Sequence, residues 1–235
     1  MRLSAPIYQL KRRAKTLART ETIPLAQALD RVARKEGVAS WSLLAARADS
    51  TAPARPLLGR LRDGDMLLIG ARPSQGKTRL ALDLLLAAAA AGRRAVFFTL
   101  EYTEAEAMAR LDTLAPDATA PRPEVVTSDE IDADYIIRRL AGAPRGSVAV
   151  IDYLQLLDQR RSTPPLGAQM AALRDFARNS GVILGFISQI DRRFDPAERA
   201  VPGIADLRLP NPVPEGVFTM ACFLHAGAER VGPPR

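Results

Sequence analysis

Met66-Leu-Leu-Ile-Gly70 is an apolar run of buried-strand length, and beyond Thr78 the residues Leu80, Ala81, Leu84, Leu85 and Ala88 recur at helical spacing. Between them lie Ala71, Arg72, Pro73, Ser74, Gln75, Gly76, Lys77 and Thr78. A small residue, four of any kind, then Gly-Lys-Thr is the Walker A phosphate loop. Strand, glycine-bearing loop and helix in that order aim the loop N–H groups and the positive helix end at a phosphate. Few architectures accommodate such a unit. The expectation is an α/β fold, with a mostly parallel twisted sheet flanked by helices and ligands at the strand C-termini.

Lysine is scarce here, which gives Lys77 its meaning. Of 33 basic residues only Lys11, Lys15, Lys35 and Lys77 are lysines. A compact ammonium on a flexible stem reaches the β/γ-phosphates, whereas a planar guanidinium is the wrong shape for that pocket. An arginine-biased chain keeps a lysine where phosphate geometry demands one. The loop is therefore expected to bind ATP, through residues 71–78.

At 235 residues and 47% hydrophobic content, the chain can bury one good core and a small appendage. No apolar stretch is long enough to span a membrane, and the basic N-terminus lacks the apolar core of an export signal. Cys222 is the only cysteine, so no intrachain disulfide can form, which fits a cytoplasmic setting. With one histidine, His225, soft zinc ligands are too few. Charge is uneven: residues 1–60 hold 12 basic and 4 acidic residues, the remainder 21 and 22. That excess suggests an acidic partner for the N-terminus, such as nucleic acid or a partner protein; a solvated basic helix face is the alternative.

Residues 1–48 read as a small, basic, all-helical module. Ile7, Leu10, Ala14 and Leu17 form one stripe, Pro24 and Gly37 bracket a second helix, and Ser40 caps a third with Trp41 as packing anchor. Residues 49–57 have linker composition, 58–225 alternate strand and helix, and 226–235 read as a polar tail. Five prolines between 190 and 216 predict a long loop, a length usually functional or disordered.

Three strand tips are expected beside the phosphate loop. Asp152 ends Val148-Ala-Val-Ile and reads as the Walker B carboxylate, holding Mg²⁺ with the Thr78 hydroxyl. Glu101 follows Ala95–Leu100 and is placed to polarise the attacking water. Gln189 ends Val182–Ser188 and could bond the γ-phosphate or its water. If single-stranded DNA is a partner, two regions compete for it: Arg192, Arg193 and Arg199 after Gln189, and the basic N-terminal helix.

Four stretches in order resemble the ATPase domain of the DnaB-type replicative helicases, members of the RecA-like fold. They are Gly70 to Thr78, Phe98-Thr-Leu-Glu101, Ile151-Asp-Tyr-Leu-Gln-Leu156 and Ile187-Ser-Gln189, with Asp206-Leu-Arg208 resembling a further element. The resemblance covers about Leu58 to Leu224. It implies a P-loop NTP hydrolase of DNA replication: Lys77 and Thr78 bind ATP and magnesium, Glu101 is the base, Asp152 is Walker B. Gln189 would couple the γ-phosphate to a DNA-binding loop.

Departures from that family pattern shape the functional reading. The family continues beyond the strand matching Val217–Leu224 into another strand with a basic residue and an arginine finger, which completes a neighbouring subunit's site. No strand pattern is legible in Ala226–Arg235, and Asn211-Pro-Val-Pro-Glu-Gly216 replaces an acidic, glutamine-bearing stretch. The family's N-terminal scaffold has no counterpart; residues 1–48 resemble instead a small helical module at the head of assorted bacterial proteins, some related to glyoxalases. Two readings follow: a DnaB-like ATPase acting on or near single-stranded DNA, as a homo-oligomer or with a partner, or a slow, nucleotide-dependent regulatory protein without autonomous helicase activity. A recombinase-like mediator is a third.

Overall fold

The computed structural model describes residues 4, 7–44, 54–116, 119–152, 154, 157, 164–195, 197, 199–208 and 213–234. The chain divides into two compact units, Met1–Ala52 and Pro53–Arg235.

In the first unit, helices Ile7–Thr20 and Leu25–Lys35 bury Leu10, Ala14, Ala28, Val32 and Ala33. Val38 and Leu44 complete that core, and Trp41 packs on it partly buried. Gly37, at φ 77°, ends the second helix in the left-handed conformation that glycine adopts without penalty. The described carboxylates here have internal partners: Glu21 pairs with Arg31, Asp30 accepts the Trp41 N–H at 2.8 Å, and Glu36 accepts from Ser4. Lys11, Arg12, Arg13, Lys15 and Arg19 face solvent.

The second unit is built on a seven-stranded sheet in the order β3-β2-β4-β5-β1-β6-β7. In chain order the strands are β1 Met66–Ala71, β2 Ala95–Thr99, β3 Glu124–Val126, β4 Val148–Asp152, β5 Ile183–Gln189, β6 Met220–His225 and β7 Ala228–Gly232. All pairings are parallel except β6 with β7. The central strands are apolar on both faces, as a sheet covered on both sides requires. Met66 and Leu68 join a core with the helices Ala133–Leu140 and Leu166–Ser180. Leu67 and Ile69 join the opposite core with Lys77–Ala90 and Glu104–Leu114. Gly70 fits because a Cβ there would lie 2.6 Å from the Phe223 ring of β6.

Two expectations need correcting. Helix Ala54–Arg60 begins inside the segment with linker composition, and Leu57 and Leu61 are buried against the Lys77–Ala90 side of the sheet. Pro56 falls in its first turn, where a missing N–H costs no intrahelical bond. Residues 49–53 lie outside the described residues. The supposed polar tail contains β7, paired antiparallel with β6 from Ala221↔Gly232 to His225↔Ala228. The turn between them, Ala226 and Gly227, has positive φ at both positions, 52° and 83°, the twist a two-residue hairpin needs. The proline-rich stretch after β5 has the loop character expected of it, and is tethered where it is described: Asp191 N–H donates to the Asp206 carbonyl at 2.7 Å, and Arg208 N–H to the Gln189 carbonyl at 2.8 Å. Pro196, Pro210, Asn211 and Pro212 lie outside the described residues.

Candidate nucleotide site

Strand register sets the site. Ala71 pairs with Gln189, Thr99 with Asp152, and Asp152 with Ile187, so the ends of β1, β2, β4 and β5 form one edge of the sheet. The phosphate loop leaves β1 at that edge and enters the helix Lys77–Ala90. Gly76 is the helix N-cap at φ 89°, with open space where a Cβ would stand, so a phosphate can approach the backbone closely. Ser74 is also left-handed, at φ 62°. Turning successive N–H groups inward in this way makes a concavity for an anion.

Asp152 is fully buried at the end of β4. The Thr78 hydroxyl donates to its Oδ2 at 3.3 Å, long for a bond between oxygens, and Oδ1 is buried with no hydrogen-bond partner. Burial pushes its pKa up to about 7, with the nearby Glu101 charge adding to the rise; Lys77 and the Thr78 bond oppose it. A buried carboxylate with an orphaned oxygen beside a hydroxyl is the donor set a hard cation uses. The residues present therefore fit Mg²⁺.

Lys77 is 9% exposed, buried for a lysine, in the first turn of its helix. Glu101 stands exposed past the tip of β2, where its N–H bonds the Thr99 hydroxyl at 3.1 Å. The following helix Glu104–Leu114 opens with a reciprocal capping box of Thr103 and Glu106, which fixes the chain's exit from this turn. Gln189 is half-buried at the end of β5. Tyr153, Gln155 and Leu156 of the stretch after Asp152 lie outside the described residues.

Two loop side chains that the motif leaves unspecified reach sideways. Gln75 Oε1 accepts the Ala226 N–H at 2.8 Å, bracing the β6–β7 turn. The Arg72 guanidinium donates to the main-chain carbonyls of Arg192, at 3.0 Å, and Phe194. Sequence reasoning missed both, because a carbonyl 120 positions away or an amide 151 positions away leaves no mark in residue type. Arg192 and Arg193 are exposed, the Arg193 side chain at 91%, although its Nε also bonds Asp191. Arg199 is ion-paired with Asp206 at 2.8 Å and lies over the Phe194 ring.

Residues 56–119 match the family model of the DnaB-like helicase C terminal domain. That segment holds the phosphate loop and Glu101. The replicative DNA helicase DnaB of Treponema pallidum (strain Nichols) is 26% identical over 185 residues, covering 65% of this chain and 42% of that protein. The chain thus spans less than half the length of that relative. Among solved structures, one ATPase domain superposes with TM-score 0.56 at 17% identity, covering 73% of this chain and 80% of that one. A DnaB-like replicative helicase studied for its interactions with primase gives TM-score 0.57 at 16% identity, covering 96% and 73%. The fold is the RecA-like α/β fold of the DnaB ATPase domains. These matches lend no support to a glyoxalase-related module at residues 1–48.

Proposed function

We propose that this chain is a cytoplasmic, ATP-hydrolysing DnaB-like ATPase whose nucleotide cycle acts on or near single-stranded DNA. One observation carries the reading: Lys77, Thr78, Asp152 and Glu101 lie at one sheet edge, and the Asp152 carboxylate is held buried with an oxygen unused. Burying a carboxylate is costly and gives the fold nothing back, so a ligand is the natural reason for it. No helix among the described residues is long and apolar enough to cross a membrane.

The roles divide by chemistry. Main-chain N–H groups of residues 72–78 hold the phosphates, and the Lys77 ammonium reaches the β/γ oxygens. Thr78 and Asp152 would hold Mg²⁺, which when bound neutralises charge developing on the transferred phosphoryl group. Glu101 accepts a proton from the attacking water, and Gln189 senses the γ-phosphate at the head of the segment bearing Arg192 and Arg193. Strand β7 gives Arg230 a setting the sequence alone did not suggest: exposed on a trailing strand, it is the candidate for the cation that completes a neighbouring subunit's site. Homo-oligomerisation follows from that role, and the basic first unit is read as a contact for a partner.

The test is ATP turnover with and without single-stranded DNA, using Lys77→Ala as control. Turnover that vanishes in Lys77→Ala and rises with DNA is expected. Turnover in wild type that equals Lys77→Ala would sink the ATPase reading; turnover indifferent to DNA would leave the slow regulatory alternative standing.

A further inference from the structure

Arg72 belongs to the phosphate loop by sequence, yet its side chain serves another segment. Its Nη2 donates to the carbonyls of Arg192 and Phe194, and the guanidinium carbon lies 5.5 Å from the centroid of the Phe194 ring. Phe194 is only 3% exposed. The Arg199 guanidinium lies 5.6 Å from the same ring, and the His225 ring meets it edge-on at 5.3 Å. Burial, with the Arg72 charge, lowers the His225 pKa.

Position in the sheet makes this joint consequential. Strand β1 lies between β5 and β6, so the loop after β1 has the segments after β5 and β6 as its neighbours. Gln75 braces it on the β6 side and Arg72 on the β5 side. The described residues of the segment after β5 are tied together by Asp191 with Asp206, Arg208 with Gln189 and Arg199 with Asp206. We infer that Arg72 is a positioning residue that couples nucleotide occupancy of the phosphate loop to the arginine-bearing segment 191–208, acting through Phe194. The inference rests on the nucleotide-binding reading above. The extended, planar guanidinium suits a contact shared between two carbonyls and a ring better than the compact, strongly hydrated ammonium of lysine does.

Amide hydrogen exchange in the full chain reads the coupling directly, with and without a non-hydrolysable ATP analogue and Mg²⁺ at concentrations saturating each protein. In wild type, nucleotide should slow exchange within 191–208 by about fivefold or more, the low end of coupling between linked sites. Arg72→Lys and Phe194→Leu should each reduce that ratio below about twofold, and the double variant should reduce it no further, since both break one path. Thermal melting checks that each variant is folded, and the wild-type ratio tests the coupling even if one is not. Failure of wild type to bind the analogue would overturn the nucleotide reading and the coupling together. Analogue binding without a change at 191–208, or an undiminished ratio in either variant, would overturn the coupling alone.

Discussion

The Thr78 hydroxyl bonds only one oxygen of Asp152, at 3.3 Å, and leaves the other buried and unpaired. The carboxyl group therefore titrates near neutrality, at about 7 against an ordinary value of 3.8. Between those values the folded chain binds a proton that the unfolded chain does not. For the ligand-free protein, this group destabilises the fold progressively as pH rises from about 4 to 7, by up to about 1.4 kcal/mol per pH unit for one proton, and its penalty is constant above 7. Asp152→Asn should therefore be more stable than wild type at alkaline pH, with the difference shrinking towards acid pH. Nucleotide with Mg²⁺ needs the ionised form, so its affinity in wild type should climb with pH through 7, with proton release. Calorimetry in buffers of different ionisation enthalpy measures that release; none detected near pH 7 would place the metal elsewhere.

Chemistry and binding should separate at Glu101. Its carboxylate acts on the attacking water and stands exposed beyond the strand tip, away from the core. Glu101→Gln should keep nucleotide affinity and lose turnover by about 10²-fold or more, the scale of a general base. Single-turnover hydrolysis measured beside equilibrium binding decides it, and unimpaired turnover would move the base to another residue.

Much of this architecture was legible before any coordinates. The phosphate loop and the apolar strands announce themselves through residue types with one physical meaning. Strand β7 did not, because its turn uses Ala226-Gly227 where a hairpin usually shows Asn-Gly or Asp-Gly. Left-handed alanine is strained by about 1–2 kcal/mol. The Gln75 bond to the Ala226 N–H holds that turn, and no local pattern could reveal it. Helix Ala54–Arg60 was hidden in the same way: proline near a helix start and proline in a linker look alike until Leu57 is seen to be buried. Arg72 was read as a backbone donor to phosphate, since its side-chain partners are carbonyls.

DNA contact is expected from Arg192 and Arg193, which project from the tethered segment, more than from Arg199, whose guanidinium is engaged with Asp206 and Phe194. Arg192→Ala/Arg193→Ala should uncouple ATP turnover from single-stranded DNA while leaving DNA-independent turnover in place. Removing residues 1–52, a compact unit of its own, separates the competing contribution of the basic helix Ile7–Thr20. If that truncation abolishes DNA binding and the double variant does not, the helix is the contact. Wild-type binding by both proteins would exclude each assignment.

Arg230 decides whether the site is completed in trans. It lies on β7, its guanidinium 5.3 Å from the centroid of the Phe223 ring and donating to the Pro202 carbonyl at 2.8 Å, contacts it must give up to reach a neighbour's site. As a dilute single chain, the protein should turn ATP over slowly, below about 1 s⁻¹, because the γ-phosphate transition state lacks a second cation. If Arg230 supplies that cation to a neighbour, specific activity should rise with protein concentration and Arg230→Ala should abolish the rise, a loss of about 10³-fold or more at full assembly. Complementation is the sharper measurement. Lys77→Ala cannot bind nucleotide but keeps its Arg230; Arg230→Ala keeps its phosphate loop but offers no cation. Mixing the two inactive proteins should restore part of the activity, because each Arg230→Ala site can then meet an intact Arg230 from the other chain. A mixture as inactive as its components, under conditions where the wild type is concentration-dependent, would remove Arg230 from the reaction.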